Sequence, residues 1–415
     1  MRIVIEELKK IWTIKILGII ALLSILYIIP VLTGYMTVYP RGIWMLDVDF
    51  AHHLTENYGP RLEHEDFIDF LNYEENIIYE VNQFIASRQV FSDAGIFDLD
   101  DFREFQAETW RLHDYLSDEE LIQRVTITGE MGGITRLLDG TDLHPNPYEP
   151  SIAFSKWISF GNVVASYQTN ALRETEWDCR IDSALRHSNL SEREAQRLIE
   201  LRDSSEMKNI MPFSAITLAW RHGQLLAAIA LLATLVLVSQ IVTTDRANRV
   251  HWLQYSAKEG RAILRKQFAA MLISAIGITT VYVIVFAGIL STLDVQAFWG
   301  NGINSFMSWH FHWLSITFGQ FCLLIIGVVY VLSIGAAALA FILARFSSNR
   351  VRLMFKIVPL FVGAIILANW VLEHFLTVSV GGNWVLQLAV LGGLMVAGVS
   401  AALLIVRREK RVELV

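Results

Sequence analysis

Over most of its length the chain alternates between long apolar runs and short polar connections. Five runs carry no Asp, Glu, Lys or Arg: Ile16–Tyr35, Gly223–Thr243, Phe268–Leu293, Leu314–Ala344 and Val385–Val406. A sixth, Ile357–Leu372, is shorter and equally free of charge. Crossing a bilayer takes about 20 apolar residues, because hydrocarbon solvates neither ionised groups nor open backbone. The pattern therefore predicts six membrane-spanning helices. The run Leu314–Ala344 exceeds one bilayer thickness, so its helix is expected to tilt or to continue past the membrane.

Between the first and second runs the pattern changes. In Met36–Met211, Phe67, Leu71, Ile77, Ile78, Val81, Phe84 and Ile85 recur at three- and four-residue spacing, the period of a helix with one apolar face. Ser117 with Glu120, and Ser191 with Glu194, fit capping boxes that open helices. Asp98, Asp100 and Asp101 read as an acidic helix N-terminus. Gly129–Pro150 is punctuated as a loop, and a short β element around Ser151–Ala165 is an alternative to helix there. The first residues, Ile3–Trp12, place Ile5, Leu8 and Trp12 on one face, as in a helix lying along the inner leaflet.

These elements predict an all-α polytopic membrane protein with a mostly helical extracytoplasmic domain. Residues 1–15 form the interfacial helix, 16–35 the first span and 36–211 the external domain. Residues 212–415 hold five further spans and the connecting loop 244–266. The first run is expected to stay as an anchor, because Pro30–Tyr35 offers no small-x-small cleavage site.

Charge supplies the orientation. Lys and Arg collect in the N-terminal segment (Arg2, Lys9, Lys10, Lys15), in the loop after the second run and in the loop after the fourth. They collect again after the sixth run, at Arg407, Arg408, Lys410 and Arg411. The opposite loops hold Asp294 and Glu373 and no base. Basic loops face the cytoplasm, so both termini are expected there, in a bacterial cytoplasmic membrane. The total charge of −7 conceals a segregation. Residues 36–211 hold 15 bases and 33 acids, a net −18, which leaves +11 on the rest. Such acidity keeps an exposed domain soluble and also concentrates cations near it.

A hydrophobic fraction of 53% and a mean hydropathy of +0.42 agree with this membrane reading. Nine of the twelve tryptophans lie near span boundaries, where indole settles at headgroup level. Cys179 lies in the polar segment and Cys322 in an apolar run, which excludes a disulfide framework. The spacing of His52, His53, His64 and the Asp98–Asp101 acids matches no zinc or calcium pattern. No catalytic motif and no phosphate-cradling glycine loop occurs, so neither a cofactor nor a nucleic-acid partner is expected.

The span cores lack the ionisable groups that ion-coupled transporters use. Energy for transport would then have to arrive from a partner gripping the cytoplasmic loops. The longest of these reads Thr244-Asp-Arg, then Leu253-Gln-Tyr-Ser-Ala-Lys-Glu-Gly-Arg261, then Lys266 at the start of the third run. With the interfacial helix, the six spans and the lead-in Pro212–Gly223, this resembles type-2 permease subunits of ATP-binding-cassette transporters that carry a large external insertion. The resemblance implies that Asp245, Leu253, Ser256, Lys258, Glu259, Gly260, Arg261 and Lys266 form a loop docking on a separate cytoplasmic ATPase subunit. It further implies a second permease copy, identical or homologous, and export of a peptide, lipid or drug-like substrate. Asp245 stands where the family often has Glu. The competing expectation is a membrane receptor or assembly factor whose external domain binds a partner.

Overall fold

A computed structural model describes residues 2–22, 24–25, 29, 46–113, 115–132, 149–173, 179–247, 263–292, 295–347, 349–373, 376–378 and 384–409. Among them every regular element is helical, and β pairing is limited to three isolated bridges. Helix α1 (Arg2–Ile11) opens the chain. The acidic segment folds as α2 (Leu46–Tyr58), α3 (His64–Leu71), α4 (Glu74–Ala86), α5 (Gln89–Asp93) and α6 (Leu99–Leu112). It continues as α7 (Asp118–Gly132), α8 (Glu149–Tyr167), α9 (Arg180–His187) and α10 (Glu192–Asp203). Five long helices follow: α11 (Phe213–Ala247), α12 (Ile263–Ser291), α13 (Phe318–Arg345), α14 (Arg350–Leu372) and α15 (Trp384–Glu409).

These five are long and apolar enough to cross a membrane, and each coincides with an apolar run of the sequence. Half of the first run lies outside the described residues, although 14–22 are helical. Two boundaries move for local reasons. The α13 helix starts at Phe318, four residues into its run, because Thr317 and Gln320 form a capping box there. The α14 helix begins at Arg350, ahead of its run, where the Asn349 side chain accepts from the Arg352 N–H. Around Ser151–Ala165 the chain is helical within α8, so no β element forms.

The chain divides into two compact units. One, the membrane-type unit, comprises Met1–Tyr35, Ala215–Ile303 and His310–Val415. In it α11 and α13 are the most enclosed helices. Helices α12, α14 and α15 turn Ile273, Ile284, Phe355, Val362, Val396 and Leu404 away from the protein, as spans immersed in hydrocarbon do. Small residues set the seam between α13 and α15. A Cβ on Gly398 would stand 3.4 Å from the Gly335 carbonyl oxygen, and one on Gly335 would stand 3.3 Å from Leu394 Cγ. The connection between α12 and α13 is tied back on itself. Ile303 N–H donates to Ile316 O (3.1 Å), Phe318 N–H to Asn301 O (2.8 Å) and Gly319 N–H to Trp299 O (3.0 Å). Its second half pairs with the next connection, since Trp313 N–H donates to Leu376 O and Val378 N–H to Phe311 O. His312 is fully buried there, against Trp220 and Phe321. Burial, with the neighbouring His310, holds its pKa down at about 3.

The other unit comprises Met36–Ser214 and Asn304–Trp309. Its core is aromatic: Phe50, Phe67, Phe70, Phe91, Phe102, Phe160 and Tyr167 are each at most 5% exposed. The helical period of 67–85 is realised as two helices, α3 and α4, which bury Phe67, Phe70, Ile77, Val81 and Ile85. Asp98 caps α6 by accepting from the N–H groups of Asp100 and Asp101, both at 2.9 Å. The Ser191/Glu194 capping box opens α10.

Candidate functional site

Helix α1 encloses the Ile5–Leu8–Trp12 face only in part, with Leu8 and Trp12 of intermediate exposure. Its enclosed stripe runs through Glu7 (2% exposed) and Ile11 (0%), while Ile5 is half exposed. The stripe packs on α12, where Trp12 Nε1 donates to Ser274 Oγ at 2.9 Å. A carboxylate on the buried face of an amphipathic helix is costly unless it finds partners.

Its partners are Lys10, three residues on in α1, and Gln267, beyond the far end of the connection 248–262, whose near end brings in a second carboxylate, Asp245. Helix α11 continues past its apolar run, Gly223–Thr243, to Ala247 and so carries Asp245 in its last turn. A carboxylate at a helix C-terminus opposes the helix dipole and calls for a cation. Lys10 supplies one. Its Nζ stands 2.7 Å from Glu7 Oε1 and 3.5 Å from Asp245 Oδ1. From the first turns of α12, Gln267 Nε2 donates to Asp245 Oδ2 at 2.7 Å and to Glu7 Oε2 at 3.3 Å. Two nearly buried carboxylates thus share one ammonium and one carboxamide. Burial alone lowers the pKa of Lys10, but Glu7 and Asp245 outweigh it, so the net displacement is upward. The cluster joins the two ends of the connection 248–262, since Asp245 precedes residue 248 by three positions and Gln267 follows residue 262 by five.

Of the residues that the sequence assigns to the coupling loop, Asp245 lies in this cluster and Lys266 is half-buried beside Gln267. Leu253, Ser256, Lys258, Glu259, Gly260 and Arg261 lie outside the described residues. Sequence reasoning did not single out Glu7 or Gln267, and read Lys10 only as one of the N-terminal bases that set orientation. The available signal was Glu7 itself, which shares the α1 stripe with Val4 and Ile11 at helical spacing. The chain matches no family model, no curated protein and no solved structure.

Proposed function

We propose that the chain is the permease subunit of an ATP-binding-cassette transporter, driven by a separate cytoplasmic ATPase and paired with a second permease copy. In this reading the helix beginning at residue 14 is a sixth span, both termini face the cytoplasm, and the acidic unit lies outside. The observation that carries the reading is the polar cluster of Glu7, Lys10, Asp245 and Gln267. A loop that receives force from a motor needs a stiff root. This cluster joins both ends of the loop to α1, so a push on residues 248–262 passes to α11 and α12 together. Uncharged span cores support the same view, because they offer no ionisable group for internal energy coupling. The substrate class is a peptide, lipid or drug-like molecule.

Co-purification tests the proposal directly. A stoichiometric ATPase chain is expected, and substituting Gly260 and Arg261 should leave nucleotide hydrolysis running while transport stops. Transport by the isolated chain in sealed vesicles, without nucleotide, would sink it. One observation favours the alternative of a receptor or assembly factor: the acidic unit presents Trp110 (72% exposed) and Tyr115 (86%) to solvent. Under that reading the isolated chain retains full function with no ATPase.

A further inference from the structure

Six residues of the acidic unit come from far along the chain: Asn304–Trp309, in the connection between α12 and α13. The groove that receives them starts with an irregularity. Helix α8 ends in a π-helical turn, Gln168–Leu172, closed by Arg173 in the left-handed region at φ 62. Both conformations are uncommon for such residues and persist where the surroundings fix them. Here they present Asn170, which is 2% exposed. Its Nδ2 donates to Phe306 O at 3.2 Å, and its Oδ1 accepts from Arg180 N–H at 3.0 Å and from Cys179 Sγ at 3.5 Å.

Arg180 opens α9 and spends its guanidinium on the same segment. Nη1 donates to Ser308 O (2.9 Å) and Phe306 O (3.4 Å), Nη2 to Ser166 Oγ (2.9 Å), and the guanidinium carbon lies 4.5 Å from the Trp309 ring centre. No carboxylate pairs with it among the described residues. The carbonyl oxygens of the segment therefore carry much of its solvation. On the other side Asn209 Nδ2 donates to Asn304 O at 2.9 Å, and Phe306 N–H donates to Met207 O at 3.1 Å. Ser305 Oγ donates to Asn209 O and accepts from Met211 N–H. The Phe306 ring is fully buried and stands edge-on to Tyr167, 5.0 Å between centres. The carbonyls of 304, 306 and 308 are each read by a side chain of the acidic unit, with one aromatic anchor between them. Peptide grooves work in this way, taking hold of main chain and seating one or two side chains in pockets.

We propose that the acidic unit carries a peptide-binding groove, formed by Asn170, Arg180, Asn209 and Tyr167, whose ligand is the chain's own segment 304–309. The groove makes the outer connection a captive tether. The residues flanking the segment are bonded to one another at 299–303 and 316–319, so the segment leaves and rejoins the rest of the connection through a closed neck. A change that opens the groove therefore frees the start of α13, and one that tightens it holds that start in place. This inference stands apart from the transport reading.

Hydrogen exchange on the full-length protein in lipid nanodiscs tests it. Arg180→Lys keeps the charge but loses the planar fork that reaches two carbonyls. Exchange in 304–309 is expected to rise about tenfold. It should rise in step at 299–303 and 316–320, while 390–405 of α15 is unchanged. A rise confined to 304–309, or no rise, overturns the tether. Trp309→Ala, at a residue 65% exposed, removes only the stack and is expected to shift the same amides in the same direction by a smaller factor. It serves if Arg180→Lys fails to fold. In Phe306→Ala protein, a synthetic peptide of residues 302–311 added in trans should restore protection at 206–211, and a scrambled peptide should not. Equal results from the two peptides would overturn the groove.

Discussion

The two ends of the connection 248–262 are joined by side chains that bond side chains, whereas the segment 304–309 is held chiefly by side chains that bond main chain. Lys10 and Gln267 each reach two carboxylates, so charge decides that arrangement. Asn170, Arg180 and Asn209 reach carbonyl oxygens, so backbone path decides the other. The first kind of closure titrates, is weakened by salt where exposed, and can be rewired by exchanging charges. The second depends on shape, and one lost amide leaves several buried groups without partners at once. Closure by charge and closure by backbone path differ in this way.

The contrast breaks most severely at Asn170. Asn170→Leu strands the Arg180 N–H and leaves Phe306 O only the 3.4 Å contact from Arg180 Nη1, an expected loss of about 3 kcal/mol, read as a lower unfolding midpoint with the segment 304–309 newly open to protease. An unchanged midpoint would mean that main-chain capture adds no stability. Next comes Lys10→Met, which leaves Glu7 and Asp245 facing each other without their shared ammonium and should cost about 2 kcal/mol. In a Glu7→Gln background the same substitution should cost clearly less. Equal costs in both backgrounds would show that the four residues do not act as one unit. Gly319→Ala is expected to cost about 1.5 kcal/mol, because its Cβ would stand 2.5 Å from Trp299 Nε1. A shift of indole emission should accompany it, and silence in both readouts would refute the packing.

The smallest effects are those of pH, and they have opposite signs. His312 is held neutral, so its contribution is complete above its ordinary value of 6.5 and fades as pH falls toward about 3. At pH 5.5 the pairing of 311–313 with 376–378 should weaken by about 1 kcal/mol, visible as faster amide exchange at Trp313 and Val378. The Lys10 value is raised, so its contribution is complete below the ordinary 10.5 and fades only as pH climbs through the higher folded value. Being nearly half exposed, it should yield only a few tenths of a kcal/mol. Loosening of Trp313 and Val378 on alkalinisation instead of acidification would reverse the assignment.

Much of the helix framework was legible in the residues. Charge-free runs identify the long helices because hydrocarbon imposes so strict a condition, and Ser191 with Glu194 marks a helix start through purely local bonds. Asp245 was legible through the resemblance, which expects an acid just past the second run, but its partners were not. Glu7 and Gln267 are separated by 260 positions, and a pairing of that range leaves no periodicity to read. The groove was less legible still. Asn304, Ser305 and Phe306 sit in a loop without charge pattern, and what grips them is their main chain, about which side-chain identity says little. Trp309, one of the nine tryptophans near the span boundaries, also lies over Arg180, a contact that its place in the sequence does not announce.

Helix α11 has a mechanical consequence of its own. It runs without proline through 35 residues, about 52 Å at the usual rise, well beyond the roughly 30 Å of hydrocarbon it would cross. Its one glycine, Gly223, is pressed against Ile325 and offers no hinge. A rod of this kind bends little, so a twist applied near Phe213 arrives at the far end nearly whole and swings the Asp245 carboxylate about the axis. The ammonium of Lys10 and the amide of Gln267 would register that rotation first, as the pointer of a gauge registers the turning of its shaft.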